Sequence, residues 1–522
     1  MIFLVPRNFA ILARVLLLVC PLSLLGACSS LPSDIERAPS AAVDVSDRTT
    51  LGRLALAQAG THPGLSGFSL QEFGRDAFLH RAALIEAAEY SIDAQYYIWN
   101  SDVSGRYLAR RLLLAADRGV RVRLLLDDFN VAGRDEVFAA LASHAQIEIR
   151  IYNPFATRAG PGKLLEAVGD FERVNRRMHN KTFVVDGAFG IVGGRNIGDE
   201  YFGLHPAVNF LDRDMLAVGP IVDDISSNFD RYWNSSAAYP VEALVGSAWK
   251  LARIEQAMAA ARTMAKDTGG LDCKPAQTKS AAHDVVAGWL PKLEWAQAEL
   301  IFSDPVQEEQ RDTDKPARTA TRLGALIASS RESVLMESAY FILAEHHLEH
   351  IRQLTDRGVD VRAITNSLAS NDLVGNHAGY ARSRRGMLES GMRLHELRPD
   401  APICARCADA TGACEGMISL HAKSIVIDHE VLYVGSFNLN LRSIYLNGET
   451  VLTVRSPRLA KAVADAIETS LLPENSWAVT ERTDGALHWQ GSDGGYDHEP
   501  ATGFWRRVKA ALIGLLPIEK YY

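Results

Sequence analysis

This 522-residue chain predicts an α/β fold of two duplicated lobes sharing one pseudo-twofold site, on three observations. A five-position pattern occurs twice: His179-x-Lys181-x4-Asp186-x6-Gly193-x2-Asn196, and His421-x-Lys423-x4-Asp428-x6-Gly435-x2-Asn438. Other landmarks repeat at nearly the same interval. The histidines are 242 residues apart, as are Ser91-Ile92-Asp93 and Ser333-Val334-Leu335, and Asp117-Arg118-Gly119-Val120 recurs as Asp356-Arg357-Gly358-Val359 after 239. Finally, each half alternates helix and strand in the same order, the pattern of a layered α/β architecture. One ancestral unit is therefore present twice.

In chain order, residues 1–27 read as a lipoprotein signal. Arg7 and Arg14 flank the start of VLLLVCPLSLL, which ends in Leu25-Gly26-Ala27-Cys28. Its apolar core, 15–25, is shorter than the roughly 20 residues of a comfortable membrane span and fits a cleavable segment. Cys28 is the expected lipidation site, with a plain secretory signal or an uncleaved anchor as the alternatives. Ser29, rather than Asp, resembles lipoproteins sent to the outer membrane. The expected location is a membrane-anchored bacterial lipoprotein facing the periplasm, on the outer or inner membrane.

Residues 28–50 read as a tether and 51–245 as the first lobe. That lobe runs helix, strand (SIDAQYYIW), helix ending at the DRGV turn, strand (VRVRLLL), helix, motif hairpin, and a closing helix through Asp230-Arg231-Tyr232-Trp233. Residues 246–290, with the Gly269-Gly270 loop, read as the link. The second lobe, 291–475, repeats the order with SVLMESAYFI and VDVRAIT, after a polar segment at 304–319 that is either a lid or a solvated loop. Residues 476–522 form a tail with an amphipathic helix: Phe504, Val508, Leu512 and Leu515 share a face beside Arg506, Arg507 and Lys509. Such a segment suits a membrane interface or packs on the second lobe.

Within each motif, strand alternation puts His179 with Lys181, and His421 with Lys423, on one face. The run from Asp186 to Gly193 reads as a turn and a second strand, so each motif is a hairpin, and Asn196 and Asn438 stand where an amide returns to the histidine end. Asp186 and Asp428 complete each motif. At opposite parity and near the turn, they read as structural partners.

The formal charge of −8, from 63 acidic and 55 basic residues, lacks the basic field of a nucleic-acid binder, so no nucleic-acid partner is expected. With residues 1–27 removed and Cys28 acylated, Cys273, Cys404, Cys407 and Cys414 remain, enough for two disulfides in an oxidising compartment. Cys404-x2-Cys407 lacks a partner pair for zinc. A disulfide-stabilised loop before the second motif is expected, with free thiols as the alternative.

These motifs resemble those of the phospholipase D superfamily, and the chain is similar to its bacterial cardiolipin synthase C branch. The likeness extends to NRRMHNKTFVVDGAFGIVGGRNIGDEYFG, FDRYWNS, TNSLASNDLVGNHAGYARSRRGMLESG and LLPIE, and covers most of the chain after about residue 50. It implies two α/β/α sandwich lobes, a covalent phosphohistidine, no metal and no cofactor, and phosphatidyl transfer or hydrolysis. In such a site Lys181, Lys423, Asn196 and Asn438 are the fixed donors to the phosphoryl oxygens, and Ser436 adds a hydroxyl where the first copy has Gly194. The resemblance assigns His179 as nucleophile and His421 as acid and base; the residues alone also allow swapped roles. A carboxylate is expected to hold each imidazole's other nitrogen: Asp214, with Asp212 as its rival, and Glu449. Tyr96, Tyr97 and Tyr340 shape a pocket or pack in the core.

The implied partners are phospholipid substrates (phosphatidylglycerol, with phosphatidylethanolamine or a second phosphatidylglycerol as donor), a membrane surface and, if one is required, a helper protein. The competing readings are a phospholipase D hydrolase, a nucleic-acid phosphodiesterase and a catalytically dead lipid-binding protein. Intact His and Lys in both copies weigh against the last.

Overall fold

The computed structural model describes residues 31–131, 135–158, 166, 170–244, 278–305, 315–406 and 416–515. Cys28, Cys273, Cys407, Cys414, the Gly269-Gly270 loop, the middle of the polar 304–319 segment and most of LLPIE lie outside them.

The first-lobe strands lie side by side in the order Ala238–Pro240, Ile147–Tyr152, Arg121–Asp127, Ser91–Tyr96, Thr182–Val185, Phe189–Gly193, Asp214–Val218, Ser66–Gln71. The second lobe repeats it: Thr450–Arg455, Val431–Gly435, Lys423–Ile427, Ser333–Ser338, Asp360–Asn366, Arg393–Leu397, Ser476–Glu481. In both, the three strands joined by crossover helices are parallel and the motif hairpin is antiparallel to them, as short connections require. One nine-residue strand, Glu294–Phe302, joins the lobes. Its first residues pair with Ser66–Phe68 and its last six with Thr450–Arg455, making a single 18-stranded sheet.

Central strands read as near-continuous apolar runs because both faces are covered. Phe183, Val185, Ile191 and Leu216 enter the first lobe's outer core. Their neighbours Val184, Val192 and Met215 instead pack with Leu432, Val434 and Val454 between the lobes. Each such buried side chain contributes roughly 1.5–3 kcal/mol, so the lobes are held together by a core rather than by a linker.

A second strand pair crosses between lobes: Val208–Leu211 runs parallel to Met417–Leu420, with Leu211 opposite Leu420. Met178 and Gly448 form the matching parallel bridge. These crossings bring the two motif histidines to one place.

The chain's expected connectors are more integrated than their composition implies. Within the 28–50 tether, Ala38 and Ser40 carbonyls accept from Arg150 and Arg123, and Asp230 accepts from the Ala42 N–H. From the expected link, the helix Lys279–Ala287 buries Ala282 and Val286 in the first-lobe core. In the expected tail, Ser476–Glu481, Leu487–Gly491 and Gly494–Tyr496 extend the second-lobe sheet. The helix Phe504–Ile513 buries only Ala510 and leaves Phe504, Trp505 and Leu512 exposed. Cys404 is disulfide-bonded, to a partner outside the described residues.

Candidate active site

Each hairpin turns through two residues of positive φ, Asp186 and Gly187 (52° and 61°) and Asp428 and His429 (51° and 55°), the backbone of a tight type I′ turn. Asp186 accepts from the N–H groups of Glu89, Tyr90 and Ser91, and Asp428 from those of Arg331, Glu332 and Ser333. Both carboxylates fasten the start of a central strand to the hairpin. They stand at its turn end, a strand's length from the histidines, so they are structural and do not share the catalytic position of the other motif residues.

His179 and His421 emerge at the opposite ends of the hairpins, buried to 7% and 6% exposure. The inter-lobe crossings fix both. The His179 N–H donates to the Gly448 carbonyl (2.8 Å), which places Glu449 next in sequence beside the imidazole, and Nδ1 meets Glu449 Oε2 at 2.9 Å. The His421 N–H donates to the Leu211 carbonyl (2.7 Å), and Nδ1 meets Asp212 Oδ2 at 2.6 Å. Each lobe's histidine is thus oriented by the other lobe's acid. Since Nδ1 is committed to a carboxylate, Nε2 is left for chemistry.

The expectation for Asp214 is corrected. Asp214 accepts from Arg81 (2.9 Å) and from the Arg195 N–H (3.1 Å), inside the first lobe. Two residues make the difference: on the strand Asp214–Val218 its side chain faces the first-lobe helix that carries Arg81, whereas Asp212 ends the segment that crosses to the second lobe. The signal was present in the sequence. Counted back from Pro220 and Pro457, which begin the following helices, Asp212 and Glu449 both stand eight residues upstream.

Ser436 is also reassigned. Its hydroxyl donates to Glu449 Oε2 (2.5 Å), while Ser443 and the Asn447 amide donate to Oε1 (2.7 and 3.2 Å). In the first copy a Cβ at Gly194 would lie 2.1 Å from Asp212 Oδ1. Glycine is needed there because the shorter aspartate takes that space. Asn196 is engaged within its lobe, accepting from the Ile98 N–H and donating to the Tyr201 hydroxyl (both 3.0 Å), so a substrate-binding role for it is not supported. Asn438 is buried with its Oδ1 lacking a partner among the described residues.

Lys181 donates to the His179 carbonyl (2.6 Å) and Lys423 to that of His421, which holds both ammoniums at the histidine ends. Burial lowers Lys181 to about 7 and Lys423 to about 8, opposed by Glu449 and Asp212. Burial also lowers His179 to about 4 and His421 to about 3; Lys423 adds to the first effect and Lys181 to the second, so all four groups share one electrostatic neighbourhood. Burial would raise Glu449 and Asp212, but their histidines and lysines outweigh it and hold both below the usual carboxylate range. The site thus gathers two imidazoles held neutral, two carboxylates held ionised and two poised lysine cations.

Aromatic walls complete it. Tyr97 meets His179 edge-on (5.0 Å between ring centres) and lies 5.4 Å from the Lys181 ammonium. Tyr201 and Phe210 flank His421 at 5.1 and 5.2 Å. Tyr96, pointing the other way, bonds Arg81 in the core. Tyr340 donates to Asp372 at 3.0 Å. Asp127 accepts from the Met178 N–H (2.8 Å) and pairs with Arg177, anchoring the residue before His179. The sequence ranked Asp212 second to Asp214 for the orienting role, and it gave no sign of the wall residues Tyr201 and Phe210 or of the crossed pairing.

Two lobes that cross their histidine–carboxylate pairs over two buried lysines define a member of the phospholipase D superfamily. The chain belongs to the family described as "Cardiolipin synthase, PLD-like domain", which it matches over residues 82–233 and 323–471. It is 37% identical over 482 residues to cardiolipin synthase C of Escherichia coli (strain K12), covering 90% of this chain and 99% of that one. It is 26% identical to a cardiolipin synthase of Halalkalibacterium halodurans over 397 residues, 76% of this chain and 64% of the relative. Its fold is similar to the crystal structure of phosphatidylserine synthase from Haemophilus influenzae Rd KW20, with a TM-score of 0.53 at 14% identity, over 81% of this chain and 92% of that one.

Proposed function

We propose that the protein transfers a phosphatidyl group to phosphatidylglycerol, making cardiolipin, through a phosphohistidine on His179. What supports this most is the crossed pairing, which supplies two oriented imidazoles with free Nε2 atoms beside two cations. Neutral His179 Nε2 attacks the phosphorus, the bond to the headgroup oxygen breaks, and His421, protonated in the complex, gives its proton to the departing alkoxide. His421 then takes the proton of the phosphatidylglycerol hydroxyl as that oxygen attacks phosphorus and the P–N bond breaks. An anionic phosphodiester favours charge on His421, Lys181 and Lys423, offsetting the burial that lowers them. We assign the Asn438 side-chain NH2 as a donor to the phosphoryl oxygens, on its place in the second motif beside His421 and Lys423.

Among the described residues no helix is long and apolar enough to cross a membrane. We assign membrane attachment to an acylated Cys28, facing the periplasm, and membrane contact to the exposed face of Phe504–Ile513.

The test is lipid mass spectrometry of the purified protein and of His179→Ala in vesicles of phosphatidylglycerol, with and without phosphatidylethanolamine. Cardiolipin from the wild type alone, with release of glycerol or ethanolamine, supports the transferase and identifies its donor. Phosphatidic acid alone would replace it with a hydrolase.

A further inference from the structure

The two lobes differ in how they fill the space between two of their helices and the sheet. In the first lobe Phe78, Tyr107 and Phe202 fill the space between two helices and the sheet, with Phe78 5.4 Å from each of the other two rings. The repeat maps Phe78 to Ala320 and Phe202 to Ile444 at the 242-residue interval, and Tyr107 to His346 at the 239-residue interval of the DRGV turn. All three replacements line a cavity of about 450 Å³ between the helices Arg318–Ala328 and Glu345–Asp356. The second lobe has no such aromatic plug at these positions.

What remains is almost wholly apolar. A Cβ at Gly324, the counterpart of Ala82, would meet nothing within 4 Å. The exposed His346 and His350 are at the rim. The volume lies within the roughly 300–1,000 Å³ of small-molecule sites, and leaving such a space empty costs stability in proportion to its size. The chain just before Pro316 does not suit it: residues 306–314, VQEEQRDTD, are mostly charged or polar. Phe437 and Leu439, on either side of Asn438, form one wall, and Ile444 follows Ser443, the donor to Glu449.

We propose that this cavity holds one acyl chain of a membrane phospholipid, seated behind the second motif and separate from the phosphoryl site. The proposal rests on the lipid reading given above, since a protein that works on a bilayer meets such chains continuously. Of two ligand sources with the same chemistry, an esterified chain and a free fatty acid, it commits to the first.

The test is photocrosslinking of the full-length protein in phosphatidylglycerol vesicles containing a trace of phosphatidylglycerol with a diazirine near one acyl terminus. A parallel arm uses the diazirine fatty acid. Adducts are expected from the phospholipid on Leu323, Ile327 or Ile351, in the wild type and equally in His179→Ala. Ala320→Phe, which places there the residue that the first lobe accommodates, and Gly324→Leu should each lower them at least tenfold with a thermal unfolding midpoint no lower than wild type. Equal adducts in those variants, adducts from the free acid alone, or adducts that arise only after residues 516–522 are removed would overturn the proposal; the last would make the chain's own tail the occupant. Adducts without cardiolipin synthesis would sink the functional reading and keep this one, and cardiolipin synthesis with adducts insensitive to Ala320→Phe would do the reverse.

Discussion

Glu449 Oε2 stands 2.9 Å from His179 Nδ1 although 270 residues separate them, and the second lobe supplies the acid while the first supplies the imidazole. Neither lobe alone contains an oriented histidine. The pseudo-symmetric pair, His421 with Asp212, makes the same statement in reverse. The active unit is therefore the whole two-lobed sheet.

The crossed pairs separate the two chemical roles. Glu449→Gln keeps a polar group at His179 but removes the charge, and should cut kcat by about 10³–10⁴-fold, the scale for neutralising the carboxylate behind a catalytic histidine. Asp212→Asn should cut turnover comparably. A phosphatidyl ester of p-nitrophenol, whose leaving group needs no proton, distinguishes them. Asp212→Asn should retain a burst of nitrophenol and accumulate the phosphoenzyme, whereas Glu449→Gln should show neither. The opposite pattern would assign the nucleophile to His421.

Gly194 and Ser436 occupy equivalent positions and answer to acids of different length. Ser436→Ala removes a hydrogen bond to a buried carboxylate, worth about 1.5–3 kcal/mol, and should lower kcat roughly tenfold to a hundredfold through a misplaced Glu449. Gly194→Ala drives a methyl against Asp212 Oδ1 and should be the more damaging change. Near-normal kcat in Gly194→Ala would mean that Asp212 need not stay where it is.

The duplicated α/β fold was legible because duplication prints the same landmarks twice, and the motif histidines and lysines because parity and spacing place them together. The orienting acid of the second histidine was misread by two residues. Counting forward from the motif crosses the stretch after Phe202, where Asp212 follows by ten residues while Glu449 follows Ile444 by five, whereas counting back from Pro220 does not. Ser436 and Asn196 were read as substrate donors because a polar side chain beside a motif looks the same whether it faces a ligand or a carboxylate. The cavity was invisible for another reason. The repeat interval pairs Ala320 with Phe78, but only the structure shows that Phe78 packs on Tyr107 and Phe202 and that the space beside Ala320 is open.

Asp186 and Asp428 test whether a motif residue need be a chemical one. Asp186→Ala leaves the Glu89, Tyr90 and Ser91 N–H groups without their acceptor; the Ser91 bond is buried and the other two partly so, and an unpaired buried donor costs about 1–3 kcal/mol. Denaturation midpoints should fall and the yield of soluble protein should drop. Activity per folded molecule, titrated by the phosphoenzyme burst, should stay within a few-fold of wild type. Asp428→Ala should do less harm, because its turn is more exposed. A loss of burst rate in well-folded Asp186→Ala would return that carboxylate to the reaction.

The lysines set the pH dependence. In the free enzyme burial lowers Lys181 to about 7 and Lys423 to about 8, so as pH rises through this range the site loses the cations that receive a phosphodiester. Lowering the pH restores the ammoniums, while the histidines, lowered to about 4 and 3, stay neutral well below the ordinary imidazole range. Accordingly kcat/KM, which reports the free enzyme, should fall more steeply with rising pH above about 7–8, where loss of the ammoniums adds to the scarcity of protonated His421. Once the anionic substrate is bound, both ammoniums are favoured, so the alkaline limb of kcat should lie at higher pH than that of kcat/KM. Lys181→Arg, whose guanidinium stays charged, should flatten that limb if Lys181 is its source, although its geometry will lower the plateau. Folding has its own linkage: the unfolded chain takes up protons near pH 6.5 that the buried imidazoles refuse, so stability is lost as pH falls from there toward about 4. Parallel alkaline limbs for kcat and kcat/KM, both near pH 10, would show that the lysines are not lowered and that their burial does not tune the site.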